Sequence, residues 1–577
     1  MKDAKANTPK NQGEAKPVLS PSNARNPQAG AAPAFKPAPS RHAKISGRSI
    51  SPGMAMGRAY VFKPAHEFEK HLSVISPSRV GHECQRIESA VKDVLLDLRH
   101  SIERIEESMG SAMADIFRAH ELMLKGDSLK DEVCLEVKNH QVNAECALER
   151  VFGLWKARFR GMEEAHFQQR SDDMDDLLSR LLRSLAGVHT HSLEQMPGGS
   201  ILVAHRLLPS DATLFTPRSI EGIALEVAGS NSHCALLTRQ LGLPGIGQAE
   251  GLLERIKTGD FLLLDALNGT VTVAPDLETR LEFTQQMEQY QDKRCWARQR
   301  SHLRALTRSG VPVEVMANVG NRHDAEVAAK NGADGIGLFR MEVLFLSKTM
   351  LPTEEELIDE IGDAIAPFRK KPVIVRLLDI GGDKNLPYLP HARETHPFLG
   401  KRGVRLLLEN PSLLEVQLRA LVRLFQNQEI RILIPMVTVP EDVRQVRIIL
   451  QRVADELGSQ VLPQLCSMVE TPAAALCAAE IAAESDFLNI GTNDLTQYTM
   501  AAGREDPEVS EYFDDQNAAV FKLLANVGRQ AEHLPVGSCG ELAARADAVP
   551  ELLKAGIRML SVPPSLVPEI KDAVRES

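Results

Sequence analysis

The chain has 577 residues, room for three or four domains, and is 43% hydrophobic, 25% charged and only 4% aromatic, so its cores are built mostly from Leu, Ile, Val and Ala. A net charge of −10 argues against a nucleic-acid binder and means that an anionic ligand needs locally placed arginines. No apolar run approaches the ~20 residues of a membrane helix, residues 1–45 lack the apolar stretch of a secretion signal, and the eight cysteines form no CxxC pair or zinc-like cluster, which fits free thiols in a reducing cytoplasm.

Residues 1–45 hold seven prolines and eight Lys/Arg against two Asp/Glu, a composition that reads as a disordered basic tail. Strand pattern begins at Ile45–Phe62, with Ser51-Pro-Gly53 as a turn. Ile87, Val91, Val94, Leu98, Ile102 and Ile105 then recur at steps of three and four, one face of a helix. Helical pattern returns at Ile116–Leu124, Leu129–Val137, Ala144–Phe159 and Leu177–Leu185, a bundle of about 120 residues. Strands resume with Ile201–Ala204, Gly222–Glu226, Phe261–Asp265 and Thr270–Val273. The expected organisation is therefore an α/β domain of residues 46–65 plus 188–280, with a helical bundle of residues 66–187 inserted into it.

Within that α/β domain, the strand Gly222–Glu226 leads into Ala228-Gly-Ser-Asn-Ser-His233, and Ala235, Leu236, Leu237 and Leu241 read as the first turns of a helix. His233 is thus expected at a helix start, where unpaired N–H groups and the positive dipole end favour an anion. Two readings follow from position alone: a histidine that helps cap the helix, or a phosphoryl acceptor whose neutral ring nitrogen is the nucleophile.

A charged helical stretch, Leu281–Leu306, is expected as a linker within residues 281–310. From residue 311 to 577 the pattern alternates β and α. Candidate strands are Val313–Asn318, Gly335–Leu338, Val373–Leu378, Ile432–Met436, Leu465–Glu470, Phe487–Gly491, Val536–Cys539 and Met559–Val562, which suits a (β/α)8 barrel in a multidomain α/β protein. Reactive residue types cluster at the strand C-termini: Arg340 after the second, Arg376 and Asp379 at the third, Glu470 at the fifth, Asn493 and Asp494 after the sixth, Cys539 at the seventh. A barrel gathers those ends at one mouth. Singly, these residues also read as surface ion pairs, helix caps or a buried cysteine. Together, forked arginines, two carboxylates able to hold Mg2+ and a thiol able to carry a proton suit metal-assisted phosphoryl transfer from a small phosphocarboxylate.

At these residues the chain resembles enzyme I of the bacterial phosphoenolpyruvate:sugar phosphotransferase system, over about residues 45–577. The resemblance is carried by Pro372–Tyr388 (PVIVRLLDIGGDKNLPY), Val469-Glu-Thr-Pro472, Ile490–Thr499 (IGTNDLTQYT), Ser538–Ala543 (SCGELA), the Gly332–Glu342 run and Leu351–Glu356. It implies that His233 is phosphorylated by phosphoenolpyruvate and passes the group to a histidine of the carrier HPr. It further implies substrate binding by Arg340, Arg376, Arg402, Asn493, Asp494 and Arg504, Mg2+ held by Glu470 and Asp494, and protonation of the enolate by Cys539. HPr docking on the bundle, a cytoplasmic homodimer joined through the barrel, a hinge at the connector and no nucleic-acid or membrane partner belong to the same expectation.

Departures from the family pattern are Asn231 in place of Thr, Met341 in place of Thr, Thr395-His-Pro397, and Ala502-Gly503-Arg504. In the bundle, Arg118-Ala-His120 and Asp172–Asp176 differ from the usual carrier-docking charges. The changed bundle charges point to a different or specialised carrier, and the changes at Asn231, Met341 and Gly503 motivate one alternative, a non-catalytic regulatory paralogue that binds phosphoenolpyruvate or an HPr-like carrier. A dikinase or phosphoenolpyruvate synthase, which shares the swinging histidine, needs a large ATP-binding domain; with only the tail expected before the histidine domain here, that reading is the weaker expectation.

Overall fold

A computed structural model describes residues 43–62, 74–109, 111–125, 127–160, 166–187, 193, 196–208, 211, 220–227, 235, 238–239, 241–346, 348, 350–381, 386, 388–389, 396–503, 509 and 511–577. The first sheet has eight strands: β1 (Ala43–Ser46), β2 (Arg48–Ser51), β3 (Met54–Phe62), β4 (Ser200–Ala204), β5 (Ile220–Leu225), β6 (Gly245–Gly247), β7 (Phe261–Asp265) and β8 (Thr270–Val273). Their order is β1-β8-β7-β3-β4-β5-β6-β2.

β3 and β4 pair in parallel from Arg58↔Ser200 to Phe62↔Ala204. The chain leaves the sheet at Phe62 and returns beside the same strand at Ser200, so the helices between are an insertion. These are α1 (Val80–Met109), α2 (Ser111–Lys125), α3 (Asp127–His140), α4 (Ala144–Arg160) and α5 (His166–Leu185). The α1 stripe turns inward: Ile87, Val94, Leu98 and Ile102 are all buried. Strand alternation sorts the sheet's two faces. Leu202 and Ala204 join the core shared with the bundle, whereas Ile201 and Val203 pack into the opposite core with Leu262 and Leu264.

The connecting helix runs from Leu277 to Gln299, with Asp276 capping it by accepting from the Thr279 N–H at 2.8 Å. Helical pattern read on to Leu306 overshoots, because Ala305–Leu306 is a strand, β9, antiparallel to the first barrel strand. Pairing to a neighbour outweighs helix propensity there. Both ends of the helix are docked. Thr284 Oγ1 lies 3.8 Å from Met56 Sδ at one end, and Lys293 and Arg300 pair with Glu576 and Asp572 at 3.0 and 2.6 Å at the other.

The second half is a closed parallel barrel of β10 (Pro312–Val319), β11 (Ile336–Arg340), β12 (Val373–Arg376), β13 (Ile430–Val437), β14 (Gln464–Val469), β15 (Phe487–Gly491), β16 (Val536–Cys539) and β17 (Met559–Val562). Closure is direct, since β10 pairs in parallel with both β11 and β17. Alternation again divides the residues. Val373, Val375, Leu488 and Ile490 face the surrounding helices, while Met316, Leu338, Ile374, Leu433, Cys466, Met468, Phe487, Cys539 and Met559 fill the barrel interior.

Candidate active site

The same alternation builds the site. Two residues beyond Leu338, Ile374 and Met468 stand Arg340, Arg376 and Glu470, and Cys539 ends β16; all four share the inward parity at the C-terminal mouth. Arg340 and Arg376 are register partners across β11 and β12.

Arg376 is buried, donates from Nη2 to Glu342 Oε1 at 2.8 Å and lies 3.2 Å from Asp379 Oδ2. Its Nε has no hydrogen-bond partner among the described residues. Arg402 is also buried. It donates from Nη2 to Asp379 Oδ2 at 2.9 Å, and from Nη1 to Asp494 Oδ1 at 3.0 Å and to the Tyr498 hydroxyl at 3.3 Å. Burial opposes the charge on both guanidiniums, but the surrounding carboxylates outweigh it and hold them firmly protonated.

Glu470 accepts from the Met436 N–H at 2.6 Å. Met436 sits at φ +57°, strained for a side-chain-bearing residue at the end of β13, which is a feature of functional sites. Gly491 is required opposite: a Cβ there would stand 2.6 Å from Glu470 Oε2. Burial first, then the Asp494 and Asp379 charges, push the Glu470 carboxyl up to about 8, with Arg376 and Arg402 opposing. This is a carboxylate short of positive charge. Among the described residues no group of three or more His, Cys, Asp or Glu is arranged to hold a metal. Glu470 and Asp494 nevertheless suit Mg2+, which binds through one or two carboxylates when the substrate supplies further oxygens.

Cys539 is buried, its Sγ 3.6 Å from the Ile490 carbonyl oxygen to which it donates. Burial, then Glu470, push the thiol up to about 12 against Arg376 and Arg340, so it carries its proton at neutral pH. Asn493 accepts at Oδ1 from the Glu541 N–H at 2.9 Å. Gly540, at φ +109°, leaves room for it, because a Cβ there would lie 2.8 Å from that oxygen.

The mouth thus gathers Arg340, Arg376, Arg402, Glu470, Asn493, Asp494 and Cys539. His233, Asn231 and Arg504 lie outside the described residues. Met341 is buried in the outer core with Phe345 rather than lining the mouth. Sequence reasoning missed Glu342 and Met436 and gave Asp379 no role; Glu342 opens a short helix directly after Arg340, where an acid reads as an ordinary first-turn residue. In the bundle, His120 is fully buried, 3.0 Å from Asp173 and 3.4 Å from Asp176. The charges expected to alter carrier docking at His120, Asp175 and Asp176 are therefore internal.

Comparison with known proteins gives the class. The model described as "PEP-utilising enzyme, PEP-binding domain" matches residues 294–577, that of the N-terminal domain matches 46–170 and that of the mobile domain matches 196–269. Phosphoenolpyruvate-protein phosphotransferases are similar along nearly the whole chain. The Geobacillus stearothermophilus protein is 34% identical, covering 90% of this chain and 91% of its own. Those of Latilactobacillus sakei (33%, 92% and 94%) and Haemophilus influenzae (32%, 92% and 93%) are comparable. The chain belongs to the phosphoenolpyruvate-protein phosphotransferase family of phosphoenolpyruvate-utilising enzymes.

Proposed function

We propose that the chain transfers the phosphoryl group of phosphoenolpyruvate to His233 and then to a histidine of HPr or an HPr-like carrier, releasing pyruvate as the first step of sugar-uptake phosphorylation. The observation that carries this reading is the convergence of buried arginines, two carboxylates and a protonated thiol at one barrel mouth. Arg340, Arg376 and Arg402, with Asn493 and Arg504, bind the phosphate and carboxylate of the substrate by forked hydrogen bonds. The unpartnered Nε of Arg376 is one donor available to such an anion. Glu470 and Asp494 would hold Mg2+, which would supply positive charge to offset that of the transferring phosphoryl and the leaving enolate.

The ring nitrogen of His233 attacks phosphorus, the P–O bond breaks, and its electron pair forms the enolate. Cys539 gives its proton to the methylene carbon, yielding pyruvate, and the thiolate is reprotonated from solvent. The arginines stabilise charge at the oxygens while the thiol waits protonated at the opposite reacting atom.

The rest of the assignment follows the same reading. Residues 46–65 and 188–280 form the phosphohistidine domain, 66–187 the HPr-docking bundle, 281–310 the linker about which the histidine swings, and 311–577 the substrate barrel. Two barrels join in a homodimer, for which the exposed Met350 (71%) and Leu399 (67%) offer apolar surface. No helix among the described residues is long and apolar enough to cross a membrane, and the cytoplasm, where HPr-like carriers act, is the proposed location. Incubation with labelled phosphoenolpyruvate and Mg2+ tests the proposal. Acid-labile label that vanishes in His233→Ala is expected, and an unlabelled parent chain overturns it.

A further inference from the structure

One turn beside the mouth is held more firmly than its exposure requires. Pro397–Leu399 is a single 3-10 turn three residues before Arg402, and Leu399 at its end is exposed. Three successive carbonyls of this segment are occupied. The Tyr498 hydroxyl donates to Phe398 O at 2.6 Å. From the other side, Arg405 Nη1 donates to Leu399 O at 3.4 Å and Gly400 O at 3.3 Å, while its Nη2 donates to Thr438 Oγ1 at 3.1 Å, just past β13.

Tyr498 has a second bond. Its oxygen accepts from Arg402 Nη1, which also donates to Asp494 Oδ1. Asp494 and Tyr498 are four residues apart on the helix Thr492–Met500 and so share a face. A phenol has one proton to give. Because that proton goes to Phe398 O, the oxygen's lone pairs are left for the guanidinium, and the direction of both bonds is fixed. Burial pushes the phenol up to about 12, so it keeps that proton throughout the neutral range.

We infer that Tyr498 is a positioning residue: its hydroxyl joins the Pro397–Leu399 turn to the guanidinium of Arg402 and fixes where that guanidinium meets the substrate anion. The inference rests on the reading of Arg402 as a phosphoenolpyruvate ligand. Without the hydroxyl, Arg402 keeps Asp379 and Asp494 but regains freedom to pivot, and substrate binding must then order it. The effect belongs to binding and not to the transition state alone, so it falls on KM.

Tyr498→Phe keeps the ring and removes the two bonds. The expected result is a KM for phosphoenolpyruvate about 5- to 10-fold higher with kcat within about 2-fold of the parent. Amide hydrogen exchange at residues 398–402, measured without substrate, should speed up by about 5-fold while the barrel strands are unchanged. Arg405→Gln loosens the same turn from its other side and should shift both readouts in the same direction, which keeps the question open to experiment if Tyr498→Phe folds poorly. Unchanged KM, a kcat loss at constant KM, or faster exchange throughout the barrel would each overturn the inference. A parent chain that released no pyruvate would instead overturn the proposed function, and the exchange measurement would still decide the role of Tyr498 in holding the turn.

Discussion

Two clusters of buried charge sit in different halves of this chain, and they are built to opposite ends. In the helical bundle, His120 is enclosed by Asp173 and Asp176, while Arg180 pairs with Asp176 and Asp97. Burial works against the imidazolium, but the Asp173 hydrogen bond and the adjacent Asp176 carboxylate outweigh it and raise the ring to about 9. The two enclosed cations, His120 and Arg180, each face a carboxylate of the bundle, and the third acid, Asp97, is exposed to solvent. At the barrel mouth, Glu342, Asp379, Glu470 and Asp494 face Arg340, Arg376 and Arg402, and the deficit falls on Glu470, pushed up to about 8. A closed network specifies a fold; an incomplete one is a place for a ligand cation and its anion.

The largest expected effect tests the mouth. Cys539→Ala removes the proposed proton donor, and pyruvate release measured by a coupled dehydrogenase assay should fall by about 1,000-fold, in the range of general acid catalysis. Direct binding of phosphoenolpyruvate should change little, because the arginines remain. A variant releasing pyruvate at the parent rate would show that the thiol is an ordinary buried cysteine.

His120→Ala tests the closed network. It leaves Asp173 and Asp176 facing each other without the ring, and loss of one partner from a buried ion pair costs about 3 kcal/mol. Calorimetry should show this in the unfolding of the bundle and not of the barrel. The pH dependence has a definite sign. The folded ring titrates near 9, above its ordinary 6.5, so its stabilisation is complete below about pH 6.5 and is lost as pH rises through about 9. The parent bundle should therefore weaken across that window, and the variant should be flatter.

How much of this contrast was readable in the sequence differs between the two clusters. Arg340, Arg376, Glu470, Asp494 and Cys539 were legible because strand ends in a barrel converge, so one-dimensional position already fixes three-dimensional company. Phe487–Gly491, Val536–Cys539 and Met559–Val562 were legible to the residue, as buried β-branched and apolar runs bounded by turns. Glu342 was not, because an acid in a first helical turn has an ordinary explanation, and only its 2.8 Å approach to Arg376 gives it another. Nor was the pairing of His120 with Asp173, fifty-three residues away on another helix. Helix packing, unlike barrel closure, assigns no common end to residues distant in sequence. The same reason explains why charges that looked like a docking surface proved to be internal.

Glu470 allows a finer test, of the charge deficit itself. Its folded value near 8 exceeds the ordinary 4.5, so the metal-free folded chain holds a proton that the unfolded chain has lost, and stability falls as pH rises from about 4.5 to about 8. Relative to Glu470→Gln, the parent in chelator should lose at least about 2 °C of melting temperature across that window. Saturating Mg2+ should restore the parent and leave the variant unmoved, since only the parent keeps both carboxylates of the proposed metal pair. Equal pH profiles in parent and variant would mean that Glu470 is already compensated and that the mouth is as closed as the bundle.

The smallest effect separates redundancy from need. Asp175 in α5 is paired twice, with Lys156 of α4 and with Arg206 just after β4, so one acid ties the bundle both to itself and to the sheet. Lys156 is partly exposed, and Arg206 remains when it is removed. Lys156→Gln should therefore cost less than about 1 kcal/mol, the scale of a screened pair, and leave the bundle's melting profile nearly in place. Asp175→Asn should cost more, because it strips the partner from two cations at once. If the two variants proved equally damaging, Arg206 would not be sharing the load, and the bundle's charge network would depend on single contacts, unlike the barrel mouth, where Arg376 and Arg402 each meet two carboxylates.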